Sequence, residues 1–290
     1  MSSQPHKALL PDVAFVLGGG GHHGAVEVGM LKALIEHGIR PDLIVGTSVG
    51  ALNGAAIASD PTLPMVERLR EVWLTLDADR IFGGSIFAVA ANLVRTRTHM
   101  HSNRALRGLI ERIVGVETFE ELLVPFQCVA ASIERAAEHW FHDGPLAEAI
   151  LASAAVPGVL PPVQIRGEHF VDGGIVNSIP ISRAVDLGAK QIYVLQVGRI
   201  ERPLVLPRTP VQVAFVAFEI ARRHRFARDL AALPDGITAH VLPTGEPKRT
   251  TKSQLSELNY RDFKAVARRI ESAHQATAKY LSSTSPSGES

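Results

Sequence analysis

An α/β fold with a mostly parallel sheet covered on both faces is predicted by three observations. Short apolar runs alternate with helix-patterned segments along the chain. The runs are almost continuously apolar, as strands buried on both faces are. Gly38 and Gly188 stand where the preceding helices should end, the usual place for a glycine cap.

Taken in order, a strand is expected at Val13–Leu17, followed by the loop Gly18–Gly24 and a helix over Ala25–His37. A second strand, Leu43–Val45, leads into a helix at Val49–Ala58, and Met65–Leu74 repeats the helical spacing. Asp77–His101 mixes apolar and basic stretches and is read as a mobile cap, in which Ile81, Phe82, Ile86 and Phe87 are placed to receive an acyl chain or to pack in the core. Then come a helix at Ser102–Val114, strands at Phe126–Ala131 and His139–Phe141, and a helix at Leu146–Ala154. A strand at His169–Val171, a helix at Ile181–Leu187 and a strand at Gln191–Val197 continue the alternation. Pro210–Leu233 is apolar first and basic afterwards, the pattern of a surface helix over the sheet or of a membrane-contacting face. The last expected strand is Thr238–Leu242. With no internal repeat and no linker, one domain spans 13–280, its core motifs in 13–198 and an extension in 199–280. Residues 1–12 are expected to be flexible and 281–290, small and polar, to be disordered.

Bulk properties exclude several functions. Of 290 residues, 46% are hydrophobic and 20% charged, enough for a sizeable core. Thirty basic against 29 acidic residues leave a net charge of +1, no electrostatic basis for nucleic acid as partner. Cys128 is the sole cysteine, so neither an internal disulfide nor a Cys-rich zinc site is expected, and its apolar flanks read as a core thiol. The first residues lack the apolar stretch of a secretion signal, and no run reaches the roughly 18 apolar residues of a membrane span. The expected location is the cytoplasm.

Two glycine motifs carry the chemistry. Gly19-Gly20-Gly21-His22-His23-Gly24 fits G-x-G-x-x-G after a strand and before a helix, which alone would be a dinucleotide fingerprint. That fingerprint wants an acid at the carboxyl end of the second strand. Asp42 precedes that strand, and its far end reads Gly46-Thr47-Ser48-Val49-Gly50. A P-loop is excluded because no Gly-Lys-Ser/Thr ends the glycine run. G-x-S-x-G between strand and helix is the nucleophile-elbow pattern: glycines relieve a sharp turn, and the serine stands at a helix start that favours negative charge. Both loops then leave the carboxyl ends of strands, so glycine-loop N–H groups are in place to stabilise an oxyanion formed by Ser48. For the base, His224, His240 and His274 read as structural or surface residues, and His22 and His23 immediately follow the oxyanion loop with no orienting partner identifiable in the sequence. Asp172, after an apolar strand and before Gly173-Gly174, places a carboxylate at another strand end.

These three motifs in this order, with Ala152–Pro162 (ASAAVPGVLPP), Asn177 and Pro180, resemble the patatin-like phospholipase family over about Val13 to Gly198. The resemblance implies a three-layer α/β/α fold and a Ser–Asp dyad without catalytic histidine. Ser48 would be the nucleophile, Asp172 its base, and Gly19, Gly20, Gly21 and Gly24 the oxyanion loop. Gly46, Gly50, Gly173, Gly174 and His23 would support the motifs. It further implies a serine esterase or lipid acyl hydrolase, of phospholipase A or lysophospholipase type, acting on an acyl ester or phospholipid through an acyl-enzyme. No cofactor or metal is expected; no D-x-D-x-D-G calcium loop occurs. Contact with a membrane surface is left open. Relatives usually carry Arg or Lys where this chain has His23, whose charge would vary near neutral pH. An esterase for small soluble esters and a nucleotide-binding module are the alternatives.

Overall fold

The computed structural model describes residues 10–75, 103–157, 159–197, 203–208, 210–245 and 263–284. Among them, the strands β1 (Val13–Leu17), β2 (Leu43–Thr47), β3 (Phe126–Ser132), β4 (Ala137–Phe141), β5 (Val163–Ile165), β6 (Glu168–Asp172), β7 (Gln191–Leu195) and β8 (Thr238–Val241) form one sheet. Its order is β5-β6-β3-β2-β1-β7-β8, with β4 also pairing with β3. From β3 through β8 the neighbours are parallel; β4, β5 and β6 join antiparallel at one side.

The period of two along β1 sorts its side chains into two cores. Phe15 and Leu17 face a layer built from α1 (Ala25–Glu36), α2 (Val49–Ser59), α3 (Leu63–Thr75), α4 (Arg104–Val114), α5 (Leu146–Ser153) and α9 (Phe263–Thr284). Ala14 and Val16 face the other layer, where α7 (Ile181–Asp186) contributes Ile181 and Ala184, and α8 (Pro210–Ala231) contributes Phe226. The short helix α6 (Gly174–Asn177) leads out of β6. This is the three-layer α/β/α arrangement expected. Cys128 is fully buried on β3, and burial pushes its thiol far above the usual range, which fits a core residue.

The structure departs from the sequence reading in several places. The hairpin strand β5 was not expected; its turn, Arg166-Gly167, has both residues at positive φ (53° and 87°), the geometry of a two-residue hairpin loop without the usual Asn-Gly signal. Helix α9 agrees with the helical segment that the sequence reading places around His274 without bounds; Ile270, Ala273, Thr277 and Leu281 recur at helical spacing and are buried. It packs so closely on α1 that a Cβ on Gly29 would stand 2.1 Å from the Ile270 carbonyl oxygen. It also runs to Thr284 with Leu281 buried, so the segment expected to be disordered from 281 is helical over its first four positions. At the other end, residues within the stretch expected to be flexible are tied down: the Asp12 N–H donates to Asp42, and its carbonyl accepts from Gln191. The cap expected at Asp77–His101, with Ile81, Phe82, Ile86 and Phe87, lies outside the described residues.

Candidate active site

The sheet register brings Ser48 and Asp172 together. Strand β2 runs parallel along β3 and ends with Thr47 opposite Val129. Strand β6 approaches from the other direction, and its last residue, Asp172, lies opposite the next residue of β3, Ala130. The residue after β2 therefore meets the last residue of β6 head-on, across 124 positions of sequence. The Ser48 hydroxyl donates to Asp172 Oδ2 at 2.6 Å, and both residues are buried. The other carboxylate oxygen, Oδ1, accepts the N–H of Gly174 at 2.7 Å. Burial raises Asp172 from 3.8 to about 6, against the lowering effect of those two hydrogen bonds.

Ser48 caps α2 with φ 55° and ψ −121°, a conformation that costs a non-glycine residue about 1–3 kcal/mol. The flanking glycines show what holds it there. A Cβ on Gly50 would stand 2.4 Å from the Leu17 carbonyl oxygen, and one on Gly46 would stand 2.6 Å from the carbonyl oxygen of Gly50. The elbow is pressed against the end of β1, with no room for a side chain on either side. A further residue, not singled out from sequence, completes it: buried Ser153, at the end of α5, accepts the Ser48 N–H at 2.9 Å. Its position inside the ASAAVPG stretch was the available signal. Gly173 packs so tightly on β3 that its Cβ would stand 2.1 Å from the Val129 carbonyl oxygen, which fixes the turn after Asp172.

The glycine loop lies alongside. Gly19 is in contact with Ser48: a Cβ there would be 3.4 Å from Ser48 Cβ. Its N–H, expected to face an oxyanion, donates instead to the Ser178 carbonyl at 2.8 Å, so Gly19 serves close approach rather than donation. Among the described residues, the N–H groups of Gly20 and Gly21 have no acceptor. Gly24 closes the loop at the start of α1; Val49 and Trp73 stand where its side chain would be, and its carbonyl accepts from Asn53. Beneath the loop, fully buried Glu27 accepts from Asn53 at 2.7 Å, and Asn53 accepts from the Trp73 indole at 3.1 Å. Burial holds the Glu27 carboxyl well above the usual range, despite the Asn53 hydrogen bond. His23 does not titrate near neutrality as expected; burial, then the charges of Arg269 and Arg222, lower it to about 4.

None of the described late histidines reaches the dyad. His240 bonds Tyr280 and Gln191 and stacks on Tyr193, His274 bonds Glu36 at 2.5 Å, and His224 is exposed on α8. Among the described residues no three His, Cys, Asp or Glu side chains converge as a metal-binding group.

The chain is 32% identical over 190 residues to lysophospholipase nte1 of Aspergillus terreus, a match covering 65% of this chain and 12% of that protein. It is 32% identical over 188 residues to patatin-like phospholipase domain-containing protein 7 of Rattus norvegicus, covering 64% of this chain and 14% of that one. The chain thus spans about an eighth of the length of such relatives. Among solved structures, full-length ExoU bound to SpcU, from the type III secretion system of Pseudomonas aeruginosa, aligns over 94% of this chain and 52% of that chain at 15% identity and a TM-score of 0.47. The family model for patatin-like phospholipases matches residues 15–185, which hold the glycine loop, the elbow and the Asp-Gly-Gly turn in one continuous segment. The chain belongs to the patatin-like phospholipase family.

Proposed function

We propose that this chain is a lipid acyl hydrolase working through a Ser48–Asp172 dyad and an acyl-enzyme. The observation that carries this reading is the 2.6 Å hydrogen bond from the Ser48 hydroxyl to a buried carboxylate raised to about 6. A carboxylate so raised is mostly ionised at pH 7 yet a better proton acceptor than a solvated one. Asp172 Oδ2 takes the hydroxyl proton as Ser48 Oγ attacks the ester carbonyl. The oxyanion of the tetrahedral intermediate is met by the N–H groups of Gly20 and Gly21, each such donor typically worth about 10²–10³ in rate. Collapse breaks the bond to the alcohol oxygen, which takes the proton from Asp172 and leaves. Water then enters, gives a proton to Asp172 and attacks the acyl-enzyme; Ser48 recovers its proton as the acid is released.

An apolar rim supports a lipid substrate. Ile175 is 46% exposed and Phe218 37% exposed, and Phe218 lies against Gly174 beside the dyad. Val213 and Ile220 are also exposed, elsewhere on α8. We place the protein in the cytoplasm with peripheral contact to a membrane; no helix among the described residues is long and apolar enough to cross one.

Labelling with a fluorophosphonate probe tests the dyad. The parent should label, Ser48→Ala should not, and Asp172→Asn should label far more slowly; undiminished labelling of Ser48→Ala would remove the assignment. A chain-length series of p-nitrophenyl esters followed by phospholipid vesicles separates a lipid hydrolase from an esterase of small soluble substrates.

A further inference from the structure

The family match ends at residue 185, and α8 begins at Pro210, yet α8 touches both catalytic loops. Arg222 is buried, with only 4% of its side chain exposed. Its guanidinium is paired at 2.9 Å with Glu219 one turn earlier, and Nη1 reaches the Gly19 carbonyl at 3.5 Å, a long contact. Three residues on, on the same helix face, Arg225 donates through Nη1 to the Val176 carbonyl at 2.8 Å and through Nη2 to Glu138 at 3.2 Å. Val176 lies in α6, the turn that follows Asp172. Glu138 also accepts from Asn177, whose carbonyl receives the Thr47 hydroxyl at 2.8 Å, next to Ser48. Phe218, four residues before Arg222, covers Gly174.

A buried cation loses hydration that a single, partly exposed carboxylate does not fully replace, so such an arginine needs further acceptors. Here those acceptors are backbone carbonyls of the two loops that must stay in register. In a planar trans peptide the N–H points opposite to the carbonyl. A guanidinium that holds the Gly19 carbonyl therefore sets the direction of the Gly20 N–H, one of the two donors assigned to the oxyanion. The Gly19 N–H is held from the other side by Ser178.

We propose that Arg222 and Arg225 of α8 are positioning residues that clamp the glycine loop and the Asp172 turn into reacting geometry. This rests on the proposed dyad, but adds a part of the site that lies outside the matched family segment. Arg222 also supplies a permanent cation beside a loop whose own His23 stays neutral above about pH 4.

The test uses the full chain with a short-chain p-nitrophenyl ester, and rates are expressed per fluorophosphonate-labelled site so that only folded, nucleophilic sites count. Arg222→Gln and Arg225→Gln should each lower kcat about tenfold with KM changed less than twofold. Arg222→Lys, which keeps the charge, should stay within threefold of the parent. Arg228→Gln, on the exposed side of the same helix with 64% of its side chain exposed, should match the parent. Parent-like kcat in both Gln variants would overturn the clamp, as would an Arg222→Lys as slow as Arg222→Gln. If Arg222→Gln does not fold, a parent-like kcat in Arg225→Gln or a tenfold loss in Arg222→Lys overturns the clamp. A Ser48→Ala protein that labels like the parent would instead sink the dyad itself, so the two failures are distinguishable.

Discussion

Replacing Asp172 by Asn should abolish activity and stabilise the protein, and the pH dependence of the gain tests the chemistry. Asn has nearly the same shape; its oxygen accepts the Gly174 N–H, and its amide donates to the Ser48 oxygen, whose hydroxyl can turn. What disappears is a carboxylate whose pKa is raised by burial from 3.8 to about 6. A raised carboxyl binds its proton more tightly in the folded state. The parent is thus most stable, as far as this group is concerned, below pH 3.8, and that stability is lost as pH rises through about 6. At about 1.36 kcal/mol per pKa unit, the cost of the charge reaches about 3 kcal/mol at pH 7 and above. It is roughly half that at pH 5 and close to zero by pH 3. His23, lowered to about 4, acts in the opposite sense between pH 6.5 and 4, so the parent's own profile mixes the two. The difference between Asp172→Asn and parent cancels His23. We therefore expect chemical denaturation to give a gain of about 3 kcal/mol at pH 7.5 that shrinks progressively on acidification, with kcat down by about 10³ or more. A gain that does not vary with pH, or no gain at pH 7.5, would refute the view that the base is a desolvated carboxylate.

Further outcomes follow from the same contacts. In the pH–rate profile, kcat should fall as pH drops through about 6, where Asp172 protonates, and His23→Arg should leave that inflection in place; an inflection that moves with the substitution would count against Asp172. Ser153→Ala leaves the Ser48 N–H unpaired in a buried site, so it should cost about 1–3 kcal/mol in denaturation and slow labelling of Ser48. Gly50→Ala forces a methyl group to within 2.4 Å of the Leu17 carbonyl oxygen and should cost at least about 1–3 kcal/mol, seen as a lowered melting temperature or loss of soluble protein. Glu27→Gln replaces a buried carboxyl, held well above its usual range by desolvation, with a neutral side chain of the same size, so stability should be equal or greater, and a large loss would count against that upward shift.

Where the sequence pattern was local, it read through to the structure. Strand β1 has the expected limits, and Gly46-x-Ser48-x-Gly50 stands between β2 and α2 as a strained elbow, because the constraint is steric and lies within five residues. The Asp172 turn was legible for the same reason, since Gly173 is forced by the close approach of β3. Helix α9 was legible in principle from its spacing, while strand β5 is only three residues long and has no distinctive turn dipeptide. The occupied Gly19 N–H and the neutral His23 were not legible. Both depend on what packs against the loop, Ser178 in one case and a dry environment with two arginines in the other.

By itself, then, the sequence determined which residues have the chemistry to be nucleophile and base, and which backbone turns present them, because glycine spacing and strand periodicity act over a few neighbouring residues. Only the tertiary structure decided that Ser48 and Asp172 are 2.6 Å apart, that Ser153 secures the elbow, and that two arginines of α8 reach the loops. Those contacts join residues 49 to 203 positions apart, and they arise from strand register and helix docking. Burial, which only the assembled layers create, is also what lifts Asp172 toward neutrality and suits it to the proposed role of base.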